Sequence, residues 1–190
     1  MSTQSPLMRA LRAGDVTWPH TVTLKDGSEV SVRPLEASDT PELAAAIARL
    51  SPESRYRRFL SPVPSLPAAH LRYLTDVDHH GREALIAFDP SSCRGLGVAR
   101  WGVLLDDPGV AEIAVAVDDE KQRLGLAGAL LSLLSRRAAS EGLREARAAT
   151  QSENRAALRL LERFGFRRIR SQGGVTEFAL PLATRPLDEP

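Results

Sequence analysis

The sequence has one cysteine, Cys93, in 190 residues. That excludes an internal disulfide and fits a reducing compartment. It has no excess of charge of either sign: the formal net charge is +1, so nothing draws the chain electrostatically to nucleic acid or to an anionic membrane. No apolar run is long enough to span a bilayer. The opening stretch MSTQSPLMRALRAGD lacks the uninterrupted apolar core of a signal peptide. There is no internal repeat and no long low-complexity tract. Hydrophobic residues make up 43% of the chain, enough to build a core. The expectation is a soluble cytoplasmic protein with one domain over residues 18–182, a loosely held segment 1–17 and a tail 183–190. Monomer and homodimer are both open, and neither nucleic acid nor membrane is expected as a partner.

Local patterns give an order of elements. A short helix is expected over Leu7 to Leu11. HTVTL and EVSVRPL flank KDGS, and Asp-Gly between alternating strands signals a hairpin. Asp39 stands where an N-cap is needed for TPELAAAIARL, with Pro41 in the first turn. Ser51 opens a second helix, PESRYRRFL, and Ser65 a third, LPAAHLRYLTDV. EALIAFD, LGVARWGVLL and VAEIAVAV then read as consecutive antiparallel strands, separated by turn clusters at PSSCRG and DDPG. A long helix follows, with Ala127, Leu130, Leu131, Leu134 and Ala138 at helical spacing, Ser135, Arg136 and Ser140 on the other side, and Gly142 as its stop. EARAATQS is a strand, ENRAALRLLERF a helix ended by Gly165, and RRIRSQ with VTEFALPL a hairpin around Gly173 and Gly174. This order predicts an α+β (α/β) domain on a mixed sheet, not a doubly wound one.

The long helix lacks something too. No Ser, Thr, Asp or Asn caps it; its start is Leu124, Gly125, Leu126, Ala127 and Gly128. The first amides of a helix have no partner within it. Left bare by small residues and helped by the dipole, they seat an anion. The spacing is neither that of a Walker loop nor that of a dinucleotide fingerprint. A Gly-rich turn before an ordinary core helix is the competing reading. Asp118, Asp119 and Glu120, just upstream, must point away or be offset by Lys121 and Arg123. In the preceding strand Ile113, Val115 and Val117 alternate with Glu112, Ala114 and Ala116. One face is bulky; the other carries a carboxylate and two alanines, with room for a ligand. A Glu in such a strand needs a partner or a task, so an ion pair with a nearby Arg and a catalytic role both stand.

QRLGLA (Gln122 to Ala127) after AEIAVAV, followed by NRAALRLLERFGF, resembles the GNAT superfamily of N-acetyltransferases, whose acyl-coenzyme A signature is Gln/Arg-x-x-Gly-x-Gly/Ala. TWPHTVTLKDGSEVSVRPLEASD, LSPESRYRRFLSP and VDHHGREALIAFD extend the likeness to the acyltransferase domain of bacterial protein lysine acetyltransferases. The nucleotide-binding or acyl-CoA synthetase-like partner domain common in that branch is not expected in 190 residues. The resemblance implies six to seven strands splayed at a central bulge, flanked by four or more helices. It implies acetyl-CoA as co-substrate and no metal. The coenzyme A diphosphate would lie on backbone amides of Arg123, Leu124, Gly125, Leu126, Ala127 and Gly128, with Gln122 beside them. The pantetheine arm would run along Val115, Ala116 and Val117. Asn154 would bond that arm, cap its helix, or both.

The implied reaction is direct transfer of acetyl to an amine of a protein lysine or of a small molecule. Only about one lysine in a thousand is neutral near pH 7.4, so a base is needed. Glu112 is the candidate, with its pKa expected to rise in a semi-apolar strand, and the Val115 N–H or a neighbour is the expected oxyanion donor. Many members carry a Tyr where this chain has Leu161, which leaves a non-catalytic acyl-CoA-binding module as an alternative. Arg55, Tyr56, His79 and His80 are candidate acceptor-side residues, and Arg159 is a candidate for the 3′-phosphate. His70, Asp76, Asp78, His79 and His80 match no metal-ligand spacing. Cys93, in a turn, reads as structural.

Overall fold

The computed structural model describes residues 17–59 and 66–182; the expected helix over Leu7–Leu11, Ser65 and the tail lie outside them. Gly27, at φ +82°, turns the chain between β1 (His20–Thr23) and β2 (Glu29–Pro34), as Asp-Gly predicts. Three helices follow: α1 (Thr40–Arg49), α2 (Pro52–Phe59) and α3 (Ala68–Thr75). The meander is β3 (Arg82–Phe88), β4 (Gly95–Leu104) and β5 (Asp107–Val117). Then come α4 (Leu126–Ser140), β6 (Glu145–Gln151), α5 (Arg155–Phe164), β7 (Arg167–Gln172) and β8 (Val175–Pro181). Among the described residues no helix is long and apolar enough to cross a membrane.

The strands form one sheet in the order β1-β2-β3-β4-β5-β6-β8-β7, eight strands where six to seven were expected. Every pair is antiparallel except β5 and β6, which α4 joins by a crossover. The closing hairpin inserts β8, not β7, beside β6.

Cross-strand register sorts the side chains onto two faces. Glu83, Trp101 and Ile113 form one row, and Leu85, Ala99 and Val115 the next, on the face that α4 covers. There Trp101, Leu130, Leu131 and Leu134 are buried, with Leu158, Leu161 and Phe164 of α5 in the same core. On the other face the rows are Arg82, Gly102 and Glu112; Ala84, Arg100 and Ala114; and Ile86, Val98 and Ala116. Leu35, Ala84 and Ile86 make a smaller core there, with Val77 and Val98 against it.

Two local expectations are corrected. Asp39 precedes α1, but its carboxylate does not cap it. It accepts from both terminal nitrogens of Arg33 (2.7 and 2.8 Å) and from the Glu36 N–H, because a charged fork outcompetes a helix amide for the same oxygens. Ser135 is fully buried rather than outward-facing. α4 buries Leu133 and Ser135 as well as its apolar stripe, so periodicity understated the covered arc. Its end is as predicted: Gly142 takes φ +80°, and the Leu143 N–H reaches back to the Ala138 carbonyl.

Candidate active site

The bare helix start is built by two left-handed residues. Arg123 has φ +63° and Gly125 φ +99°, and α4 begins at Leu126. The first amide of this stretch to find a backbone acceptor is that of Ala129, on the Gly125 carbonyl (3.1 Å). The amides of Arg123 to Gly128 meet no acceptor among the described residues. A Cβ placed on Gly128 would meet only Leu160, at 3.8 Å, so the first turn faces open space. The Leu124 carbonyl turns away and accepts from the Lys25 N–H (3.0 Å), which ties the β1–β2 turn to the helix start. Lys25 and Lys121, the only lysines in the chain, line the same space with Arg123 and with Arg159 and Arg163 of α5. Unpaired amides ringed by cations fit a diphosphate with a further phosphate nearby.

The acidic run does point away, but Lys121 and Arg123 are not what offsets it. Asp118 is buried against Arg94 (2.9 Å) and Arg49 (3.8 Å), and Glu120 also meets Arg94 (3.3 Å). Asp119 accepts from the Ser51 N–H (2.7 Å), the Ser54 hydroxyl and the Gln122 side-chain amide (2.7 Å). Those bonds hold its carboxyl below the usual range against the opposing effect of burial. The Ser51 hydroxyl accepts from the Ser54 N–H (3.1 Å), so Ser51 caps α2 as its sequence suggests. Asp119 thus latches α2 beside the space that the helix start faces.

β5 and β6 stay paired only from Val110–Glu145 to Glu112–Arg147. Both strands continue, to Val117 and Gln151, without pairing to each other. The separation needs no bulge where they part. The β4–β5 register runs unshifted from Gly97–Val117 to Val103–Ala111, and its one irregularity lies by the hairpin turn. A cleft of about 570 Å³ occupies the gap, lined by Ile113 to Val117 on one side and Ala148 to Thr150 on the other. The Asp118 N–H donates to the Leu96 carbonyl (2.9 Å). Strand alternation therefore directs the N–H groups of Ala116 and Ala114 toward β4 and those of Val117, Val115 and Ile113 into the gap. An extended ligand can pair with that edge as a strand would.

The structure sorts the expected site residues. Val115, Ala116, Val117, Gln122, Arg123, Gly125, Ala127, Gly128 and Asn154 all line the cleft. Leu126 points into the core (1% exposed) and Leu124 packs against it, so these two offer only backbone. The Gln122 amide donates to Asp119, and the Asn154 side chain accepts from the Ala157 N–H (3.1 Å) as an N-cap. Leu161 is buried and lines the cleft, with no proton to give.

Glu112 shares a face with Arg100 and has Gly102 opposite it. It is exposed, so the strand does not desolvate it as its apolar neighbours suggested. It has no ion pair among the described residues, and Arg147, beside it on β6, bonds Glu145 instead (2.9 Å). Arg55 donates to the Ala48 and Leu50 carbonyls at the end of α1, Tyr56 is exposed, and neither lines the cleft. Their neighbours Arg57 and Arg58 do. His79 meets buried Glu83 (2.7 Å), and His80 meets Glu141 (3.2 Å). Asp78 accepts from the His80 and Arg82 amides, and His70 stacks edge-on with Phe59 and Tyr73. SRYRRF was expected to cover the acceptor side, and Arg57 and Arg58 of it do reach the cleft; local patterning could not find Lys25 or Arg163 as cleft residues, because each arrives from a different element.

A splayed sheet with unpaired amides at the next helix can take an extended, phosphate-bearing ligand. Comparison with known proteins agrees. Residues 50–166 match the model of the acetyltransferase (GNAT) family. An acetyltransferase of Pseudomonas aeruginosa is 32% identical over 146 residues, covering 76% of this chain and 78% of that protein. The crystal structure of the GNAT domain of S. lividans PAT superposes with a TM-score of 0.83 at 27% identity, covering 90% of this chain and all of that one. An acetyltransferase of the GNAT family from Streptococcus pneumoniae shares the fold (TM-score 0.70, 19% identity, 81% of this chain and 99% of that one). The chain belongs to the GNAT family and is an N-acetyltransferase.

Proposed function

We propose that the protein transfers acetyl from acetyl-CoA to the side-chain amine of a protein lysine, both substrates being bound together, with Glu112 as general base. The observation that carries this reading is the gap beyond Glu112–Arg147: its lining runs from the bare helix start to Ala114 and Ala116, which share a sheet face with Glu112, while Glu112 itself stands at the edge of the gap and outside that lining. Likeness to the GNAT domain of S. lividans PAT supports a protein acceptor.

Acetyl-CoA supplies the activated acyl group as a thioester. The amides of Arg123 to Gly128 hold its diphosphate, and Lys25, Lys121, Arg123 and Arg159 neutralise the phosphates. The β5 edge orients the pantetheine arm. The Val115 N–H, directed into the gap, donates to the carbonyl oxygen as charge grows there. Glu112 takes the ammonium proton directly or through a water, which its exposure allows. Cys93, the only cysteine, does not line the cleft, which favours direct transfer over a thiol-bound acyl enzyme. With Leu161 in the wall, solvent protonates the departing thiolate. A thiol of ordinary pKa, about 8.5, leaves adequately on those terms.

The test is coenzyme A release with lysine peptides and small amines as acceptors. Glu112→Gln is expected to lower kcat by about 10²–10⁴ while leaving the Kd for coenzyme A unchanged. Undiminished turnover removes Glu112 from the base role.

A further inference from the structure

The acceptor-facing side of the sheet has an unexpected charge balance. Arg100 stands in the middle of β4, directly opposite Ala114 of β5 and one row from Glu112. Its guanidinium lies over the Tyr73 ring at 5.5 Å, with that of Arg82 over the same ring at 5.2 Å. Its Nη1 is buried without an acceptor, and no hydrogen bond or ion pair engages its other nitrogens among the described residues. Arg58, on α2, lines the cleft beside Ala114 and lies close enough to Arg100 and Glu112 to feel both charges. Burial, reinforced by Arg100, pushes Arg58 down to about 10, still charged at neutral pH. Arg82 has its own carboxylate, Asp78, at 3.8 Å. Two guanidiniums with no ion pair among the described residues therefore stand on the face that carries one carboxylate, the proposed base: Arg58 at the cleft, and Arg100 behind it, one row from Glu112.

An ammonium entering this space alone meets net positive charge. An acceptor that brings a negative charge with its amine removes the repulsion and gives the guanidiniums the acceptors they lack. We propose that Arg58 and Arg100 form an anion subsite that selects acceptors carrying a carboxylate beside the reactive amine. The two cations also favour the neutral, nucleophilic form of that amine. The inference rests on the acetyl-transfer reading above and adds the acceptor's chemistry to it. The carboxylate comes either from acidic residues flanking a lysine or from the α-carboxylate of a free amino acid.

The test uses the whole chain and end-blocked peptides in which lysine is flanked by Glu, by Gln or by Arg, together with free leucine against leucine amide. The Glu-flanked peptide is expected to exceed the Gln-flanked one by about tenfold in kcat/KM, the gain lying in KM, and the Arg-flanked one to be poorest. If the free amino acid beats its amide by a similar factor while the peptides do not differ, the carboxylate is that of a small molecule. Arg100→Gln and, separately, Arg58→Gln should bring these ratios toward one, with Arg100→Lys restoring part of the preference. A thermal shift with coenzyme A reports that each variant is folded. Equal rates across both acceptor series, or a preference that survives in both glutamine variants, overturns the subsite and leaves acetyl transfer standing. Transfer to no acceptor, with coenzyme A bound, overturns both.

Discussion

Gly125 tests the phosphate seat most directly. At φ +99° it occupies a conformation that costs an L-residue about 1–2 kcal/mol. A Cβ there would meet nothing nearer than Lys25 Cγ at 3.9 Å, so strain, not collision, is the structural penalty. Gly125→Ala should lower Tm by about 2–8 °C, at about 2–4 °C per kcal/mol for a chain of this size. Gly125→Glu should carry the same strain and add one negative charge to the seat. At about 6 Å from a phosphate charge and an effective dielectric of about 20–40, each charge pair costs about 1.4–2.8 kcal/mol. A penalty of about 2 kcal/mol corresponds to about thirtyfold in Kd. The alanine variant isolates strain and the glutamate variant adds charge. Calorimetric titration with coenzyme A should therefore show Gly125→Glu about thirtyfold or more weaker than Gly125→Ala, at similar Tm. Equal affinities in the two variants would mean that the amides after Arg123 do not hold the diphosphate.

Two further outcomes follow from the latch and the fork. Asp119→Ala removes the acceptor for the Ser51 N–H, the Ser54 hydroxyl and the Gln122 amide. It should lower stability by about 1–2 kcal/mol and raise the acceptor KM, because α2 carries Arg57 and Arg58 to the cleft; an unchanged KM would show that α2 holds its place without the latch. Arg33 holds the Asp39 carboxyl below its ordinary value, so this pair stabilises the fold above about pH 3.9 and ceases to do so as pH falls through the lowered value. Asp39→Asn should cost about 2–4 °C in Tm at pH 7, and its gap from the parent should close below pH 4. A gap that stays constant with pH would assign the loss to packing.

Some features are legible because they depend on near neighbours. The Asp-Gly turn, the Ser51 cap, the glycines that end α4 and α5, and the alternation of β5 each follow from the conformations of a few consecutive residues. The bare start of α4 belongs with them, since a missing cap shows in four letters. The carboxylates of Asp39 and Asp119 were less accessible: nothing in either segment states that Arg33, or Ser51 and Ser54 some 65 residues away in sequence, will compete for those oxygens.

The sequence by itself determined the class of fold, the uncapped helix start and the strand that carries Glu112, because backbone preference and side-chain periodicity are local. Only the tertiary structure decided that β5 and β6 part after Glu112–Arg147, that β8 lies beside β6, and that Lys25, Arg58 and Arg159 reach one cleft. Those are meetings of elements far apart in the chain. They are set by how the two faces of the sheet are covered, and no short window of sequence contains that information.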